Sequence, residues 1–255
     1  MKVYELFGVC VYKFFSILFV ILFLPFLSYA DSNSIHLNKS QQKFIQKNKT
    51  IKFVYDPNWK PFEWQNTQKE YKGIIADIIK LLELKSGLKF EPVHTQSWKE
   101  SVLKVKKDEV PMFSAIGVTQ ERNEELFFSK KEIFSSPYVL VSRHGDDFLD
   151  GCDSAVGKRV AAIESSTIEN ILKTQRPDIP FSTLKNIEEG FEKLHSNAID
   201  VLVVNEISAR YYLKQYGYEK LKIAYRTKFS LDLRIAVKRS YDKHLIEIID
   251  NSLGT

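Results

Sequence analysis

The sequence predicts an α/β protein of two lobes, each a mostly parallel sheet flanked by helices. Three observations predict it. Short apolar β-forming runs alternate with amphipathic stretches from Ile51 onward, the alternation pauses over the long extended run 134–142, and it restarts after Gly157. Alternation of this kind signals parallel strands, because such strands need a crossover and a helix supplies it. With 255 residues, 44% of them hydrophobic, the chain can bury one large or two modest cores.

Residues 1–30 read as an export signal. Lys2 and Lys13 precede the apolar run 14–26, and Leu27-Ser28-Tyr29-Ala30 places small residues where a signal peptidase cuts. The run is shorter than the roughly 20 apolar residues of a membrane span, so a mature chain beginning near Asp31 is expected, with a retained anchor as the competing reading. Cys10 lies ahead of the run and Cys152 is then alone, which excludes an internal disulfide. Residues 31–49 are rich in Asn, Gln and Lys and form an extension, either a tail or a first exposed helix.

Ile51-Lys52-Phe53-Val54-Tyr55 alternates as a strand does, and the prolines of Asp56-Pro57-Asn58-Trp59-Lys60-Pro61-Phe62 demand a loop after it. Ile74, Ile75, Ile78, Ile79 and Leu82 form a helical stripe closed by Gly87. A strand is expected over 88–93, then a helix capped by Ser97 and Glu100 that carries Trp98, Val102 and Val105. A short strand over 110–113 leads into Ser114-Ala115-Ile116-Gly117-Val118-Thr119-Gln120-Glu121-Arg122. Beyond Gly157 follow a strand at 159–163, a helix at 168–173 capped from Ser165-Ser166-Thr167, and a helix capped by Asn186 and Glu189. A buried strand at 201–204 ends at Asn205 and is followed by a helix over 207–215; strands at 221–224 and 233–237 and a last helix at 243–253 complete the chain.

The candidate site follows from position. Asp56, Ser114, Ser165, Ser166, Thr167 and Asn205 all stand just beyond the carboxyl ends of expected strands, the edge at which open α/β sheets bind ligands. Taken singly, each is also an ordinary helix cap. Thr119 as N-cap leaves Arg122 on a first helical turn, where a planar guanidinium grips a carboxylate with two parallel bonds; an exposed surface arginine is the alternative. Trp59 and Phe62 are candidate apolar walls, and Trp98 is either a wall or core.

Several function classes are excluded. The net charge of +5 comes from Lys scattered among acids, with no arginine-rich block, so nucleic acid is not an expected partner. The five histidines lack metal-ligand spacing and no Gly-rich phosphate loop occurs. No metal, cofactor or enzymatic activity is expected.

Four stretches carry a resemblance: residues 54–62, Tyr71-Lys72-Gly73-Ile74-Ile75-Ala76-Asp77, Thr119-Gln120-Glu121-Arg122 and Gly157-Lys158-Arg159-Val160-Ala161. In order and spacing they resemble bacterial extracellular solute-binding proteins of family 3, the amino-acid type, and especially the periplasmic sensor domains of histidine kinases and diguanylate cyclases. The resemblance implies the two-lobed type II periplasmic-binding-protein fold, with lobe 1 formed by 50–140 and 234–255 and lobe 2 by 141–233. It implies a monomer in the periplasm that closes on a small carboxylate-bearing ligand, serving an inner-membrane ABC permease or a signalling protein. A dehydratase on the same fold is a further, weaker implication. By the same resemblance Arg122 clamps the ligand carboxylate with backbone N–H groups of Gly117 and of Ser166-Thr167, Trp59 and Trp98 flank the ligand, and Asp56 points into the cleft; Ser114, Ala115 and Phe62 complete the expected set. Two residues depart from the family pattern. Gly117 lacks the hydroxyl many relatives carry, and Asn205 stands where an aspartate receives the ligand ammonium.

Overall fold

Asn38 opens the first helix among the described residues, α1 (Lys39–Lys47), with a full capping box: its side chain accepts from the Gln41 N–H while the Gln41 side chain accepts from the Asn38 N–H. A computed structural model describes residues 35–254; the export signal of residues 1–30 and the mature start near Asp31 lie outside the described residues. Of the two readings of the extension, the helix is the one observed, and it is not merely exposed. Phe44 is buried and meets Tyr241 edge-on at 6.5 Å.

Strand β1 (Thr50–Val54) is followed by three short strands, β2 (Asn58–Trp59), β3 (Glu63–Gln65) and β4 (Tyr71–Lys72), that pair into a small antiparallel sheet. Sequence reading assigns this segment to a loop, because two- and three-residue strands carry no periodicity to detect. Helix α2 (Ile74–Ser86) ends at Gly87, whose φ of 74° is the left-handed cap a glycine adopts freely. Then come β5 (Lys89–Val93), α3 (Trp98–Lys106), β6 (Met112–Gly117), α4 (Gln120–Glu125), β7 (Leu126–Phe128) and β8 (Phe134–Arg143). The second half comprises β9 (Val160–Ile163), α5 (Thr167–Gln175), β10 (Phe181–Leu184), α6 (Ile187–His195), β11 (Val201–Asn205), α7 (Glu206–Gln215), β12 (Leu221–Lys238) and α8 (His244–Gly254).

The strands join in the order β10-β9-β11-β8-β12-β6-β1-β5, with β7 also on β12. Two parallel trios, β5-β1-β6 and β10-β9-β11, occupy the ends of this path. The antiparallel pair β8 and β12 runs between them, matched from Leu221 opposite Arg143 to Leu233 opposite Phe134. The mostly parallel sheets expected of the two lobes are present as these trios, joined through one shared antiparallel ribbon. The separate strands expected at 221–224 and 233–237 are likewise one strand of 18 residues with two register shifts. Its middle reads as polar, yet Thr227, Phe229, Leu231 and Leu233 alternate inward, the period of a strand buried on one face.

Each trio carries its own core. Beside β9 and β11, Phe191 of α6 stacks on Tyr212 of α7 at 5.2 Å, within a cluster that includes Leu184, Leu202 and Val204. Beside β1 and β6, Trp98, Val105, Phe113 and Leu126 form the corresponding cluster.

Candidate functional site

Both parallel trios aim their carboxyl ends at one cavity of about 60 Å³. The volume is room for roughly four to six water-sized positions. Of the expected site residues, Asp56, Trp59, Trp98, Gly117, Arg122, Ser166, Thr167 and Asn205 line it, and Phe62, Ser114 and Ala115 do not. The physical reason is one of strand length. β6 runs on to Gly117 rather than ending at Phe113, so Ser114 and Ala115 are mid-strand and fully buried. Phe62 is also fully buried, 4.7 Å behind the Trp59 ring.

Arg122 is held by its α4 start, where the Thr119 hydroxyl accepts from the Arg122 N–H as the sequence predicts. Its guanidinium donates from Nη1 to the Gly117 carbonyl at 2.8 Å and to Thr167 Oγ1 at 3.1 Å, and from Nη2 to the Ser165 carbonyl at 2.7 Å. None of these partners is an acid. Burial draws the guanidinium pKa down to about 10 although Glu121 and Glu169 act on it from a distance; it is charged at neutral pH, with no acid hydrogen-bonded to it among the described residues. A cation in that state is costly unless an anion reaches it.

The Ser165 carbonyl is aimed by its backbone. Ser165 takes a φ of 60°, a left-handed conformation that costs a residue with a Cβ about 1 kcal/mol. Its N–H is secured by Glu169 at 2.6 Å, and its carbonyl accepts from both Arg122 and the Trp98 indole, the latter at 2.9 Å. Trp98 is thus wall and core at once: 6% exposed, packed 5.7 Å from Phe113, with its polar edge turned across to the β9–α5 turn. Ser166 caps α5 by accepting from the Glu169 N–H, which leaves the first N–H groups of a nine-residue helix beside the cavity.

Gly117 explains its own missing hydroxyl. A Cβ there would lie 2.2 Å from Thr167 Oγ1 and 2.9 Å from Leu231 Cδ1. The space a side chain at residue 117 would need is taken by the Thr167 hydroxyl on the opposite wall, which also accepts from Arg122.

Asp56 accepts from the Asn58 N–H at 2.9 Å, and no lysine or arginine among the described residues compensates its charge. Burial pushes its carboxyl up to about 7. Asn205 accepts the Ser208 N–H at Oδ1 as the N-cap of α7 and lines the cavity. Glu206, the next residue, is raised by burial but brought below its ordinary value by ion pairs with Arg210 and Arg226. That pairing removes it as a free acid–base group.

Sequence reasoning missed most of the apolar lining, Ile116, Tyr138, Ile163, Ile187, Val203 and Leu231 among it. Ile163 ends β9 and is legible in principle, whereas Tyr138 and Leu231 reach the site only because β8 and β12 pass through it. The Tyr138 hydroxyl, raised by burial, lies beside Thr167 and the Ile168 N–H. On the far side of Arg122 a hollow of about 220 Å³ extends between α3 and α5 and shares Ile116, Arg122 and Ser166 with the cavity.

The profile of the bacterial extracellular solute-binding proteins, family 3, matches residues 51–254. The virulence sensor protein BvgS of Bordetella pertussis is 28% identical over 184 residues, which cover 72% of this chain and 15% of that protein. The histidine-binding periplasmic protein of Escherichia coli is 29% identical over 122 residues, covering 47% of this chain and 45% of that one. The crystal structure of the B. pertussis BvgS periplasmic VFT2 domain aligns with a TM-score of 0.78 and 25% identity over 87% of this chain and 94% of that domain. Holo ArgBP from T. maritima aligns with a TM-score of 0.71 at 21% identity over 83% and 92%, a likeness of fold. The chain spans about 15% of the length of the BvgS protein it matches.

Proposed function

The chain belongs to the bacterial extracellular solute-binding proteins, family 3, and from that premise we propose that it captures a small carboxylate-bearing, amino-acid-like ligand in the cavity between its lobes. One observation carries the reading: Arg122 is a charged guanidinium in the cavity wall whose hydrogen-bond partners are two carbonyls and a hydroxyl. A ligand carboxylate supplies the missing anion, with the N–H groups at the start of α5 as further donors. Asp56 offers a carboxylate to a cationic group, and Trp59 and Trp98 enclose the ligand's apolar part.

The lobe boundaries in this reading are 50–140 with 234–255, and 141–233. A cavity of about 60 Å³ holds few ligand atoms, so entry requires the lobes to part, with β8 and β12 as the hinge. Closure then draws on the ligand's differential affinity for the closed form. The reading places the mature protein in the periplasm, and family membership supports binding rather than catalysis. A role in ligand sensing is supported by the likeness to the BvgS VFT2 domain; delivery to an ABC permease is the second reading, supported by the match to the histidine-binding protein.

Calorimetry of the exported protein against amino acids, dicarboxylates and aromatic acids tests the proposal. The expected result is saturable binding of a carboxylate-bearing compound and none of its amide or ester. Binding of the ester with equal affinity removes the carboxylate from the recognition. Asn205→Asp probes the other end: it retains the α7 cap and adds a negative charge to the cavity. Affinity for a ligand that presents an α-ammonium is expected to rise about tenfold; no change in titration would place the ammonium away from Asn205.

A further inference from the structure

Beneath Asp56, outside the cavity, lies a second carboxyl. Glu63 of β3 is fully buried. Its Oε1 accepts from the Asp56 N–H at 3.0 Å, and its Oε2 lies 2.9 Å from the Tyr71 hydroxyl and 2.6 Å from Ser114 Oγ. No lysine or arginine is bonded to it among the described residues. The titratable groups facing it are Asp56 from the β1–β2 loop, Tyr71 from β4 and Tyr55 from β1, and Tyr55 in turn holds His94 Nδ1 at 2.6 Å. All of these except His94 are acids, so ionising Glu63 gains no opposite charge and sets it against Asp56.

Ser114 has one proton to share between two neighbours. Ser114 Oγ also lies 3.2 Å from the Val54 carbonyl, and a serine hydroxyl has one proton. If that proton goes to Val54, which can only accept, the proton in the 2.6 Å contact belongs to Glu63. We infer that Glu63 is a neutral carboxylic acid that donates through Ser114 to Val54, positions Asp56 through the Asp56 N–H, and thereby reserves the negative charge of the cavity for Asp56. Burial, the first cause, and the neighbouring Asp56 charge, which also raises it, outweigh the hydrogen bonds that lower it and push the Glu63 carboxyl up to about 8. The role of Asp56 in binding rests on the proposed function above; the protonation of Glu63 does not, and it is tested without any ligand.

The test compares the exported protein with Glu63→Gln, which keeps an acceptor for Asp56 and a donor for Ser114. A carboxyl whose folded pKa lies above its unfolded value stabilises the fold below the unfolded value and loses that contribution as pH rises through the folded one. Between the ordinary Glu value of about 4.3 and about 8, the folding constant of the native protein relative to Glu63→Gln is therefore expected to fall about tenfold per pH unit. Glu63→Ala, which lacks both groups, is expected to be less stable than Glu63→Gln at every pH. In parallel, carbon-13 NMR of the native protein with labelled glutamate should show one side-chain carboxyl resonance in its acid form at pH 6, and this arm stands if the variants fail to fold. Parallel pH dependence in the native protein and Glu63→Gln, or every glutamate ionised at pH 6, overturns the inference.

Discussion

Replacing Arg122 with lysine is expected to lower ligand affinity by about 1.5–3 kcal/mol, roughly ten- to 150-fold, with the charge preserved. The guanidinium reaches Gly117, Thr167 and Ser165 from two nitrogens of one planar group. A lysine ammonium has three donors but a single nitrogen, so it cannot span a β6 carbonyl and the β9–α5 turn while also meeting a carboxylate edge-on. The loss should appear in calorimetry with the carboxylate ligand. Unchanged affinity in Arg122→Lys would mean that the site recognises charge alone, or that the ligand lies elsewhere.

Gly117→Ala is the second large effect, and it acts by sterics. The new Cβ falls 2.2 Å from Thr167 Oγ1, inside any permitted contact, so the β6 wall and the α5 wall must separate or Thr167 must leave its bond to Arg122. Overpacking of this kind costs about 1–3 kcal/mol, here charged to the closed form. Ligand affinity should drop by about five- to 150-fold, and X-ray scattering with ligand should give a larger radius of gyration than the unsubstituted protein shows. Thr167→Ala removes the offending oxygen, leaving a contact to the end of the Leu231 side chain and a tight one to the remaining Cβ at 3.1 Å. The double variant should therefore recover part of the affinity lost in Gly117→Ala, a non-additivity that only direct contact produces. Simple addition of the two losses would show that residue 117 acts through the strand and not through Thr167.

How much of this was legible beforehand differs by residue. Thr119, Ser166 and Asn205 were recognisable as caps because capping is local chemistry, a side-chain oxygen meeting an N–H three residues on, and all three cap helices in the structure. Ser114 and Ala115 were misplaced because β6 continues four residues past its expected end, and strand ends are set by the neighbour that pairs with them, here β12.

By itself the sequence determined the alternation of strands and helices, the parallel sense of most strands, the caps, and the presence of an arginine on a first helical turn. All of these are decided within a few residues by periodicity, propensity and local hydrogen bonding. Tertiary structure alone decided that β8 and β12 form one ribbon between the trios, that Thr167 fills the space beside Gly117, and that no acid among the described residues is hydrogen-bonded to the Arg122 guanidinium. It also placed Glu63 beneath Asp56, seven residues on in the chain and joined to it by one hydrogen bond. The reason is physical: a charge's partner, a glycine's neighbour and a carboxyl's proton depend on which surfaces burial brings together, and that is a property of the packed chain, not of any stretch of it.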